Sequence, residues 1–193
     1  MQKIKSTSHM LYLFFRALCW VLPVVTTYLI LFNLEKIISW GAWASMIPSV
    51  YISAKYSEVS TSLVANAPHY FSIYHRLVIL FIQMIPLSIT VLICHKLAKL
   101  FRLYEQGYLF EEENIRLIKH ISIFMIVGEL LQLIYQPLMT AALTFNNPPG
   151  ERFASITLGT TNVSTLITAV LILVVSWIIK EAHQLKSESQ LTI

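Results

Sequence analysis

A chain of 193 residues that is 56% hydrophobic and only 12% charged has too little polar surface to clothe a soluble globule, whose charged share is ordinarily about one quarter. The apolar residues gather in long runs, as membrane spans do, so the net charge of +4 reads as membrane topology and not as a nucleic-acid surface; no basic cluster is interleaved with aromatics. Cys19 and Cys94 both fall in apolar runs without CxxC spacing, which argues against a disulfide framework and for two small buried apolar side chains.

The first long run covers residues 10–32. Lys3 and Lys5 give it a basic start, but it outruns the roughly 7 to 15 residues of a signal-peptide core and no A-x-A site follows promptly, so it is expected to be a retained anchor. Arg16, early in this run, is expected to snorkel to the inner headgroups; the sharper alternative is a pair with Glu129. Residues 33–76 follow as an outer loop. Its Trp40, Trp43, Tyr51, Tyr56, Tyr70, Phe71 and Tyr74 suit the headgroup level of the outer leaflet.

Further runs cover 77–100, 121–138 and 163–179, with a charged hinge at 101–120 and a second outer loop at 139–162 that contains the turn signal NNPPG. At about 1.5 Å per residue, each run can cross a hydrocarbon core about 30 Å thick. Strands are the poorer alternative, because an open sheet edge in lipid leaves backbone groups unpaired and no alternating segments suggest a barrel.

Lysine and arginine set the orientation. Lys3, Lys5, Arg16, Lys96, Lys99, Arg102, Arg116, Lys119, Lys180 and Lys186 fall on one side; Lys36, Lys55, Arg76 and Arg152 fall on the other. The positive-inside rule then places both termini and the hinge in the cytoplasm.

Within the hinge, Gly107 is suited to end the helix that continues from span two, since glycine accepts a left-handed cap. Glu111, Glu112 and Glu113 stand where a new helix would begin, and their charge complements its positive end. Apolar residues recur at Ile115, Leu117, Ile118, Ile121 and Ile123, with Arg116 and Lys119 elsewhere. This predicts a short amphipathic cytoplasmic helix between spans two and three. Two readings stand: a capped cytoplasmic turn, or a docking surface built from Gly107, Phe110, Glu111, Glu112, Glu113, Asn114 and Arg116.

The stretch GYLFEEENIRLIK resembles the G-x-x-F-x-x-E-N-x-x-x-L pattern of bacterial multi-pass membrane proteins grouped as domain of unknown function 2975, through Gly107, Phe110, Glu113, Asn114 and Leu117. The ending EAHQLKSESQLTI is similar to that family's, through Ala182, Leu185, Glu188, Leu191 and Thr192. The chain departs from the pattern at Glu111, where a small hydroxyl residue is usual, and at Ser189 and Gln190, where glutamate and asparagine are commoner. The resemblance implies a four-helix inner-membrane protein, often a neighbour of small helix-turn-helix regulators, with no catalytic residue to carry over.

Inside the third run, Glu129, Gln132 and Gln136 share one helix face. A carboxyl group within a span is costly and normally faces the bundle interior. Thr161, Thr165 (or Ser164) and Thr168 from span four, and Gln83 and Ser88 from span two, could complete a polar seam. That seam is either interhelical glue or a proton- or ion-linked path. His9, His95, His120 and His183 mark the four cytoplasmic span ends, but none belongs to an HxxxH or ExxH pair, so no metal site or other cofactor is expected. The sequence contains no GxSxG, HExxH, P-loop or GxGxxG and no aspartate, and no enzyme is expected.

The expected fold is an all-α four-helix membrane bundle, one integral domain over 1–193, in the inner membrane of a bacterium. The expected role is a non-enzymatic interaction protein of regulatory, signalling or immunity type. Its partners would be the lipid bilayer and a membrane or cytoplasmic protein, with self-association left open and nucleic acid excluded. The alternative is a small transporter or channel subunit using Glu129.

Overall fold

The structure, a computed structural model, describes residues 2–39, 71–108, 111–146 and 160–191, together with 149, 150, 152, 154 and 156. Every regular element among them is a helix: α1 is Gln2–Ser39, α2 Ile73–Gln106, α3 Glu112–Thr144 and α4 Thr160–Leu191. Each is long and apolar enough to cross a membrane. The chain is therefore an all-α, multi-pass membrane protein with four candidate spans. Trp20, Phe32, Phe81, Leu130, Ile134 and Ile178 are all exposed. On a soluble protein so many exposed apolar side chains would be a liability; along spans they are the surface that meets lipid.

The helices outrun the apolar runs at both ends, because backbone hydrogen bonding does not stop at the hydrocarbon boundary. One consequence corrects an expectation. Among the described residues the amphipathic stretch of the hinge is not a separate helix; residues 112–120 are the first turns of α3 itself. Neither glycine nor proline interrupts the chain between Glu112 and Ile121, so the ladder runs straight into the span. Of the outer-loop aromatics, Trp40, Trp43, Tyr51, Tyr56 and Tyr70 lie outside the described residues. Phe71 packs on a core cluster, and Tyr74 is exposed in the first turn of α2.

Pro23, Pro86 and Pro137 sit inside α1, α2 and α3. Spans tolerate proline because neighbouring groups satisfy the freed carbonyls. In α1 the break lies elsewhere, at Asn33, whose φ of −129° and ψ of 19° are not helical. Close to that break, Arg76 donates to the Leu31 carbonyl at 2.6 Å and to the Phe71 carbonyl at 3.1 Å.

The chain divides into two compact units. The first comprises Met1–Val21, Ile89–Glu129 and Gly159–Ile193. Its core is Leu100, Leu117 and Ile121, with Ile93, Leu97 and Met125 packed around them. Phe15 of α1 stacks on Phe101 of α2 at 5.6 Å between centroids. Gly128 lets α3 approach α2 closely: a Cβ there would stand 3.2 Å from Ile89 Cγ2. The second unit comprises Leu22–Ser88 and Leu130–Leu158. Its core is Ile30, Leu34, Ile79, Tyr135 and Met139. There His75 Nε2 donates to the Ala142 carbonyl at 2.5 Å. In lipid the hydrophobic effect does not pull helices together, so close packing and polar contacts of this kind hold such units.

Candidate functional site

The elbow between α2 and α3 belongs to the first unit and is built residue by residue. Gly107 has φ +97°, in the left-handed region. Its N–H donates to the Tyr104 carbonyl at 3.2 Å, and the N–H of Tyr108 donates to the Leu103 carbonyl at 3.1 Å. These two bonds form a Schellman cap, which satisfies carbonyls that the end of α2 would otherwise leave open. The expectation placed on Gly107 holds in full.

The start of α3 uses backbone more than side chains. The Glu111 carbonyl accepts the N–H groups of Asn114 at 3.0 Å and Ile115 at 3.3 Å, while its own side chain is exposed. Asn114 is buried, and its Nδ2 donates to the Tyr108 carbonyl. One side chain thus ties the residue after the α2 cap to the first turn of α3. Asn114 Oδ1 is buried without a hydrogen-bond partner among the described residues. Phe110 lies outside the described residues.

The three adjacent glutamates have three fates. Glu111 is exposed at the helix start. Glu112 reaches Arg116 on its own helix at 3.6 Å. Glu113 crosses to Lys99 of α2 at 2.6 Å. A further bond brings in α1, whose His9 Nδ1 lies 2.9 Å from Glu105 Oε1 near the end of α2. Lys99 and His9 were not singled out by sequence reasoning for these contacts. The only signal available was charge of opposite sign at the same end of the spans.

The residues assigned to one polar seam belong to both compact units. Glu129 Oε2 accepts from Asn162 Nδ2 at 2.9 Å, in the first unit. Gln83 Oε1 accepts from the Tyr135 hydroxyl at 2.5 Å, in the second. Gln132 and Gln136 are half-buried on the part of α3 that belongs to the second unit. Thr165 is half-buried on α4. Thr168 is exposed and donates to the Ser164 carbonyl of its own helix at 2.8 Å. Ser88 likewise donates to its own helix, at the Ile85 carbonyl. The side chain of Thr161 lies outside the described ones.

Asn162 and Tyr135 escaped sequence reasoning, the first as a polar residue at a helix start, the second as an aromatic in an apolar run. Arg16 donates to the Tyr12 hydroxyl one turn back on α1, rather than to Glu129. Cys19 and Cys94 are free thiols. Among the described residues no three histidine, cysteine or glutamate side chains converge as metal ligands.

The profile of the family described as "Protein of unknown function (DUF2975)" matches residues 44–193, which include the elbow and the whole of α2, α3 and α4. Comparison with curated proteins and with solved structures gives no match.

Proposed function

This chain belongs to the DUF2975 family, and we propose that it is a non-enzymatic interaction protein of a bacterial inner membrane that docks a membrane or cytoplasmic protein on the elbow between α2 and α3. The observation that supports this reading is the build of the elbow. A double backbone cap, the Asn114 tie and the Lys99–Glu113 pair fix its shape, while Tyr108, Glu111, Glu112 and Arg116 stay exposed on it. A fixed display of charge costs a partner little ordering entropy on binding. The surplus of lysine and arginine on the same side supports placing the elbow and both termini in the cytoplasm. A reporter fused after Gly107 should signal from the inside; an outside signal refutes that orientation.

The elbow is tested by replacing Glu111→Ser, Glu112→Ser and Glu113→Ser together. Crosslinking of the intact protein in its own membrane should capture one defined partner, and the triple variant should lose it at unchanged abundance. Capture of lipid and of further copies of this chain alone would sink the docking role.

The alternative is a small transporter or channel subunit working through Glu129. What supports it is a carboxyl group held half-buried within a candidate span. It ranks second because that group already has an amide partner in the first turn of α4, where an acid serves to steady a helix start.

A further inference from the structure

A cavity of about 380 Å³ opens beside the elbow, lined by Lys96 and Lys99 of α2 and by Glu112, Glu113, Arg116, Leu117 and His120 of α3. Its charges do not cancel. Three permanent cations face two carboxylates: Glu113 is held by Lys99 at 2.6 Å, and Glu112 is loosely engaged by Arg116 at 3.6 Å. Lys96 has no carboxylate partner among the described residues, and His120 lies against Phe124 with 6.5 Å between ring centroids. We propose that this cavity binds a phosphate group, seated between Lys96, Arg116 and an N–H of His120.

The residue types suit that ligand. A guanidinium offers a planar fork of donors to phosphate oxygens, and an ammonium adds a point charge. A basic pocket beside spans is also the setting in which anionic headgroups are recognised. Depth points the same way. α2 has 34 residues and is about 51 Å long, against a hydrocarbon core about 30 Å thick. Shared evenly, about 10 Å of helix projects at each end. Lys99 stands about 10 Å from the end of α2, at the hydrocarbon boundary, and Lys96 about 15 Å, from where a lysine stem can snorkel to it. Arg116 and His120 stand about 6 and 12 Å from the start of α3 and fall at the same level. A phosphodiester headgroup lies at that level, and a soluble phosphate reaches it from the water.

The test uses the full chain in nanodiscs of phosphatidylcholine. One arm adds phosphatidylglycerol and reads retained lipid by native mass spectrometry; the other titrates inorganic phosphate against a chloride control. The wild-type protein should retain phosphatidylglycerol over the zwitterionic phosphatidylcholine, or bind inorganic phosphate over chloride. Lys96→Gln and Arg116→Gln should each weaken it about fivefold, whereas Lys119→Gln, an exposed lysine outside the cavity, should change it less than twofold. Retention of phosphatidylglycerol assigns the phosphate to lipid; a response to inorganic phosphate alone assigns it to a soluble anion. Arg116 is an exposed side chain, so its substitution decides the matter even if Lys96→Gln impairs folding. Binding in neither arm, or binding that falls equally in all three variants, overturns the site. Docking of a protein at the elbow can fail independently, since its capture assay reads a different ligand.

Discussion

Two of the ties between α2 and α3 are made by opposite means. In the second unit a neutral bond joins Gln83, 0% exposed, to Tyr135, 4% exposed. In the first unit an ion pair joins Lys99 to Glu113, whose side chains are 49% and 48% exposed. The neutral contact is sealed in packing, where water cannot stand in for a lost partner, so disruption is costly. The ionic contact is closer to water, where screening and side-chain entropy consume most of the attraction. The lesson is a division of labour: the sealed contact holds the helices, and the open one shapes a surface that other molecules can reach.

The largest effect that follows is at Tyr135. Tyr135→Ala removes a large side chain from the core cluster with Ile30, Leu34, Ile79 and Met139 and should cost about 3 kcal/mol. Tyr135→Phe keeps the volume and loses the bond to Gln83, for about 0.6 kcal/mol by the measure of hydrogen bonds between membrane helices. Reversible unfolding in mixed micelles should separate the two. Equal losses would mean that the hydroxyl, and not the packing, holds this end.

Asn114 comes next, because it is the sealed element of the otherwise open elbow. Asn114→Ala should cost about 1 kcal/mol through the lost bond to the Tyr108 carbonyl. Hydrogen exchange at residues 107–113 should rise while the core of the second unit stays protected. Uniform loss of protection would show that the elbow is not a local device. For the ion pair itself, a double-mutant cycle of Lys99→Ala and Glu113→Ala should return about 0.3 kcal/mol, fading as salt is raised. A coupling well above about 1 kcal/mol that ignores salt would put this pair in the same class as the buried contact.

How far these features were legible in the sequence depends on whether the cause was local. The four apolar runs, the glycine cap and the acidic start of α3 each follow from residues adjacent in the chain, and each is where the pattern put it. After Glu112 an uninterrupted ladder makes residues 112–120 part of α3 instead of a separate helix. Contacts between helices were less legible. Periodicity says which side chains share a face; it does not say how far one helix is shifted along another. That shift joins Glu129 to Asn162 and leaves Thr168 exposed, though all three are polar residues in or beside apolar runs. Tyr135 was hidden for a different reason, since an aromatic ring in a span reads as apolar until its hydroxyl meets an acceptor.

A comparably small effect, at Glu129, separates the two functional readings. Glu129 meets Asn162 through a carboxyl oxygen, and glutamine offers an amide oxygen at the same reach. Glu129→Gln should therefore preserve the contact, changing stability by less than about 0.5 kcal/mol and leaving partner capture at the elbow intact. Glu129→Leu, which keeps volume but removes the acceptor, should lose about 0.6 kcal/mol as a single interhelical bond does. A proton- or ion-carrying site behaves in the opposite way, because glutamine cannot ionise whatever its shape. If purified protein in sealed vesicles moves protons or ions and Glu129→Gln abolishes that movement at normal stability, the transport reading displaces the docking one. If Glu129→Gln behaves as wild type and only Glu129→Leu is weakened, the carboxyl group is a helix contact. In that case the transport reading loses the residue that supports it, and capture of a partner at the elbow decides the docking one.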